Sequence, residues 1–202
     1  MVLASRCVDD DVELVDRLRA GDESAFVVLV GLYQPRMLRL AEATVGSRAV
    51  AEEVTQDTWL AVLRGVERFE GRSSLKTWLF HILLNRARTA ATREQRAGRP
   101  DEANIEDRFD KSGAWAAPPE PWTDRVDDRL VAEHLATRVQ KLLPELPDSQ
   151  RQAVMLRDVE GLPPGEVAGI IGVSDANQRV LLHRGRARLR QLLAADMGKA
   201  SR

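Results

Sequence analysis

Between Gln178 and Arg190 the chain carries Arg179, Arg184, Arg186, Arg188 and Arg190, with His183 and no acid. A guanidinium is a fixed fork of donors matching phosphate oxygens and the guanine edge, so this run has the chemistry of DNA contact. A second basic cluster runs from Arg64 to Arg99, nine basic residues against three acids. Inside it, Lys76, His81, Asn85, Arg86 and Arg88 are spaced to meet backbone phosphates and base edges from one helix. Between the two clusters, Asp101 to Asp128 holds nine acids and three basic residues. Two basic surfaces flanking an acidic connector suit a protein that holds a polyanion at two places. Solvated basic helix faces are the bland alternative for either cluster alone.

Other chemistries lack their parts. His81, His134 and His183 are scattered, Cys7 is the only cysteine, and no Gly-rich phosphate loop occurs, so no catalytic or metal constellation is expected and no cofactor is called for. No apolar run approaches the length of a membrane span, so no membrane insertion is expected. MVLASRCVDDDVELVD meets Asp9, Asp10 and Asp11 where a signal peptide needs an apolar stretch, which points to a cytoplasmic protein.

The elements that must position these residues are helical. Phe26, Leu29, Val30, Tyr33, Met37 and Leu40 recur at steps of three and four, as do Leu75, Trp78, Leu79, Ile82 and Leu83. Trp78 belongs to a core at this spacing, and His81 to a surface. On the helix around Ala51 to Leu63, Val54, Thr58, Ala61 and Val62 face inward while Glu52, Glu53, Gln56 and Asp57 form an acidic outer stripe. Gly98, Pro100, Gly113, Pro118, Pro119 and Pro121 break the pattern. The reading is an all-α chain of two small helical domains, 11–93 and 129–196, joined by a flexible acidic linker at 94–128, with tails at 1–10 and 197–202. Phe109, Trp115 and Trp122 in that linker either dock on a domain or meet a partner.

In GLPPGEVAGIIGVSDANQRVLLHRGRARLR, Gly161 to Arg190, a short helix from Glu166 to Ile171 turns Val167, Ala168 and Ile171 inward. Gly172 supplies a left-handed turn and Ser174 caps the next helix, while small Ala168 lets the two helices cross closely and Val173 plugs the turn. This is a helix-turn-helix whose second helix turns Arg179, His183, Arg184, Arg186 and Arg188 outward. In the other domain, Gly71-Arg72-Ser73-Ser74 precedes a helix that Ser73 or Ser74 can cap.

Together these segments resemble the bacterial RNA polymerase sigma factors of the extracytoplasmic function family, the smallest layout of the sigma-70 group. AEEVTQDTW (Ala51 to Trp59) is similar to the family's core-binding helix, FEGRSSLKTWLFHILLNRAR (Phe69 to Arg88) to its promoter-melting and -10-reading segment, and LPDSQRQAVMLRDVEGLPPGEVAGIIGVS (Leu146 to Ser174) to its -35-reading domain. The resemblance covers about Val12 to Arg93 and Val131 to Leu193, in the family's order.

The resemblance implies a non-catalytic promoter-specificity subunit. Glu52, Glu53, Gln56, Asp57, Leu60 and Leu63 would dock on the clamp of the polymerase β′ subunit, and the C-terminal domain on the β flap. Arg72, Ser73, Ser74, Lys76, Asn85, Arg86 and Arg88 would take the -10 element, with a flipped base held by the loop before the helix. Ser174, Asp175, Asn177, Arg179, His183, Arg184 and Arg186 would take the -35 element. An anti-sigma protein is the implied inhibitor. A conventional helix-turn-helix repressor explains only the C-terminal block, and an adaptor that never touches DNA explains only the acid face and connector.

The sequence departs from the family pattern in the recognition helix, where Gln178, Arg179, Val180 and Leu181 stand for valine, lysine, serine and arginine. A glutamine therefore occupies a position facing the helix-turn-helix core, where it needs a buried partner or a rotated helix. Pro163 also replaces a serine-like cap ahead of the first helix, although Pro164 suits its first turn.

Overall fold

A computed structural model describes residues 2–98 and 137–200, with the side chains of 11–93 and 137–198. Helices α1 (Val2–Arg19), α2 (Glu23–Val45), α3 (Arg48–Gly65) and α4 (Leu75–Gly98) form the N-terminal domain. The C-terminal domain comprises α5 (residues 137–142), α6 (Asp148–Val154), α7 (Pro164–Ile171) and α8 (Asp175–Ala200). Among the described residues there is no strand, and no helix is long and apolar enough to cross a membrane. Helix α4 continues past Arg93 to Gly98. The linker aromatics Phe109, Trp115 and Trp122, and His134, lie outside the described residues.

Local chemistry sets the helix ends. Asp22 caps α2 by accepting from the backbone N–H of Ser24 (2.9 Å) and Ala25 (3.3 Å), and Gly46 closes it in the left-handed region at φ 75°. Hydrogen bonds from Ser24 and then Arg17 hold the Asp22 carboxyl at about 2, well below its ordinary 3.8. Helix α4 has two anchors. The Ser74 hydroxyl accepts from Thr77 N (3.1 Å), as the sequence predicts, and Asp11 of α1 accepts from Leu75 N (3.2 Å).

Helices α2, α3 and α4 pack around Leu29, Met37, Leu40, Val62, Leu75, Leu79, Phe80, Leu83 and Leu84, all essentially inaccessible. Thr44, Thr55 and Thr58 are also buried there; each hydroxyl donates to the carbonyl four residues back, at 2.7–2.8 Å, so no polar group is stranded. Trp78 is part of this packing, with its ring 5.0 Å from that of Phe69, and His81 is exposed, both as expected.

In the C-terminal domain α6 and α7 pack on α8. The chain after α6 widens into a π-helical turn, Met155–Val159, with Glu160 N donating to Met155 O at 2.9 Å. Buried Arg151 donates to the carbonyls of Pro144 (3.0 Å) and Leu146 (3.1 Å) and pairs with Asp148, fixing the entry to α6. Helices α6 and α8 approach closely at Gly185, where a Cβ would lie 2.8 Å from Val154 Cγ2 and 3.1 Å from the Gln150 carbonyl oxygen. Ala168, expected at the separate crossing of α7 with α8, is buried in α7. In α7 the buried residues are Val167, Ala168 and Ile170, and Ile171 is only partly buried. Ile171 packs against the core as expected although it is only partly buried, and Ile170, three residues after Val167, is buried beside it.

Candidate nucleic-acid interface

The helix-turn-helix is built as its sequence dictates. Gly172 takes φ 80°, its N–H donates to Ala168 O (2.9 Å), and Val173 N donates to the same carbonyl (3.0 Å). Ser174 then caps α8, its hydroxyl accepting from Asn177 N at 3.2 Å. Ser174, Asp175, Asn177, Arg179, His183, Arg186 and Arg188 are exposed, and Arg184 is half-buried. Arg186 is not a free cation: its guanidinium grips both oxygens of Asp158 at 2.9 and 2.5 Å, and this pairing raises its pKa. Gln178 is 1 % exposed and faces the core as the departure from pattern implied; its side-chain nitrogen has no hydrogen-bond partner.

On α3, Glu52, Glu53, Gln56, Asp57, Leu60 and Leu63 all lie on the exposed face, the two leucines half accessible. Arg48 engages Glu52 (2.8 Å), and Arg86 of α4 lies 3.6 Å from Asp57, so the acidic stripe borders the basic one. Surface pairs of this kind contribute little stability, so both carboxylates remain available to a partner. Val27, Val28 and Leu32 on α2 are exposed apolar residues that the sequence reading passed over. Their signal was present, since they fall off the inward stripe of Phe26, Leu29, Val30 and Tyr33.

In the loop before α4, Gly71 adopts φ 69°, Arg72 is exposed and pairs with Glu70 (2.9 Å), and Ser73 is half-buried. Asn85 is exposed and Arg86 half-buried. Lys76 and Arg88, whose spacing suits contact with phosphates and base edges, are partly covered by the C-terminal domain. Lys76 Nζ lies 3.2 Å from the Glu160 carboxylate and also donates to the Glu160 carbonyl. Arg88 donates to Ile170 O (3.0 Å) and to the side-chain oxygen of Gln152 (2.9 Å), and burial lowers its pKa. The Thr77 hydroxyl donates to Glu166. Sequence alone misses this junction because its partners lie more than sixty residues apart in the chain.

The chain matches two family descriptions: Sigma-70 region 2 over residues 29–97, and Sigma-70, region 4 over residues 136–189. It is 32% identical over 183 residues to the RNA polymerase sigma factor CarQ of Myxococcus xanthus, covering 89% of this chain and 95% of that one. It is 29% identical over 180 residues to the ECF RNA polymerase sigma-E factor of Escherichia coli strain K12, covering 87% and 90%. Among solved structures, CnrH bound to the cytosolic domain of CnrY has the same fold, with TM-score 0.61, 23% identity and coverage of 92% and 98%. The sigma factor RpoE bound to the anti-sigma factor NepR from Bartonella quintana is similar at TM-score 0.59, 25% identity and coverage of 85% and 98%.

Proposed function

This chain belongs to the extracytoplasmic function sigma factors of the sigma-70 family, which bind core RNA polymerase and direct promoter-specific initiation, and from that premise we propose how its surfaces divide the work. The α3 face of Glu52, Glu53, Gln56, Asp57, Leu60 and Leu63 docks on the β′ clamp. The loop Arg72, Ser73, Ser74 and the α4 residues Lys76, Asn85, Arg86 and Arg88 take the -10 element. Ser174, Asp175, Asn177, Arg179, His183, Arg184 and Arg186 at and after the start of α8 take the -35 element, and the C-terminal domain rests on the β flap. The working units are 11–93 and 129–196, with 94–128 as a tether.

The observation that carries this reading is the capped helix-turn-helix with an exposed basic outer face on α8, joined to a second basic helix whose neighbour α3 offers an acidic, leucine-edged face. Cations on α8 position the duplex through phosphates, and the donors at the start of the helix reach base edges. Arg186 contributes less than Arg179, because Asp158 already neutralises it. Melting needs no bond chemistry from the protein. Holding an unstacked base in the loop before α4 offsets an unpairing cost of roughly a few kcal/mol, least at A·T pairs. The protein therefore works in the cytoplasm as a non-catalytic subunit, and its inhibitor is an anti-sigma protein, as the complex of the similar Bartonella sigma factor suggests. Run-off transcription with purified core polymerase on a promoter library tests this: promoter-specific transcripts are expected, and their absence from an otherwise active mixture overturns it.

A further inference from the structure

We infer that the free chain closes on itself, its C-terminal domain occupying the basic face of α4 so that the -10 reader is masked while the outer face of α8 stays open. The inference rests on the assignment of Lys76 and Arg88 to the -10 element.

The junction is made of charge-assisted bonds. The Glu160 side chain is only 6% exposed and lies between Lys76 Nζ at 3.2 Å and the Arg36 guanidinium at 3.9 Å. A carboxylate so buried is tolerated because those cations face it; without them it would be costly to desolvate. Arg88 spends two of its donors on Ile170 O and Gln152, and Gln152 is itself buried. Thr77, 7% exposed, donates to Glu166. Carboxylate, carbonyl and amide oxygens thus take the places that phosphate and base oxygens would take. One ammonium and one guanidinium fork cannot serve both sets at once, so closure and -10 binding exclude each other. On α8, by contrast, Arg179, His183 and Arg188 remain exposed in the closed form. A ligand that binds only the open form has its affinity reduced by the open fraction.

The test compares the full-length chain with Glu160→Lys, which sets a cation against Lys76 and Arg36. Small-angle scattering reads closure. Fluorescence anisotropy reads binding of the single-stranded non-template -10 strand, and separately of the -35 duplex, from a promoter recovered by run-off transcription. Expected are a compact parent, an expanded variant, about tenfold tighter binding of the -10 strand by the variant, and -35 binding changed by less than about twofold, taking a closed form favoured about tenfold. A parent as expanded as the variant, or an expanded variant with no gain on the -10 strand, overturns the proposal. If Glu160→Lys loses helical circular dichroism, Glu160→Gln with Glu166→Gln carries the same two readings. The premise has its own readout: Lys76→Ala and Arg88→Ala in assembled holoenzyme should reduce open-complex formation, and if they leave it unchanged the -10 assignment fails, and the proposal with it.

Discussion

Three ring pairs pin the N-terminal core: Phe26 with Trp59 at 5.7 Å, Tyr33 with Phe80 at 6.4 Å, and Phe69 with Trp78 at 5.0 Å. The C-terminal domain has no such pair to make, since no aromatic residue follows Trp122. It is held by aliphatic contacts, by the bare backbone at Gly185, and by the buried Arg151, which bonds the carbonyls of Pro144 and Leu146. Large rings fill volume and supply most of a small domain's apolar burial. A domain without them must bring helix backbones closer together and use hydrogen bonds to fix turns. The first design fails by losing volume; the second fails by gaining it, or by losing a polar partner.

Four substitutions sharpen that contrast. The largest effect is expected from Leu79→Ala, which empties a fully buried site in the N-terminal core and should cost about 3 kcal/mol. Urea unfolding followed by tryptophan fluorescence reads it through Trp59 and Trp78; a cost below about 1 kcal/mol would mean that this core can collapse around the gap. Next comes Gly185→Val, which inserts volume where even a Cβ meets Val154 and the Gln150 carbonyl. About 2 kcal/mol should be lost from the C-terminal domain, seen as a lower helical melting temperature by circular dichroism. An unchanged melt would show that the crossing is loose.

Gln178→Met should act in the opposite direction. It replaces a buried amide whose nitrogen lacks a partner with an unbranched apolar chain, raising stability by about 1 kcal/mol. A loss of stability would mean that the amide holds the helix-turn-helix together. The smallest change is expected from Asp22→Asn, and it depends on pH. The folded carboxyl titrates at about 2, below its ordinary 3.8, so its contribution is present above about pH 4 and is lost as pH falls through 2. The variant should melt lower than the parent at neutral pH and converge with it near pH 2. Parallel melting curves from pH 6 to 2 would remove Asp22 from the account.

Much of this was legible before any coordinates. The turn at Gly172, the cap at Ser174, the inward stripe of α2 and the burial of Gln178 are local consequences of residue type and helical period, and each has its expected place. The α3 stripe, outward from Glu52 to Leu63, was also readable, because one helix face must pack and the other cannot. The covering of Lys76 and Arg88 was not readable, nor was the pairing of Arg186 with Asp158, the space filled by the missing Cβ of Gly185, or the anchoring of α4 by Asp11.

The sequence by itself determined the helices, their caps, their inward faces and the sign of charge on each outward face, because those depend on neighbours three or four residues away. Only the tertiary structure decided which of the outward cations stay free and which meet an oxygen from the other end of the chain. That choice is made by residues tens of positions apart, whose meeting depends on how whole helices pack, and no local period encodes it.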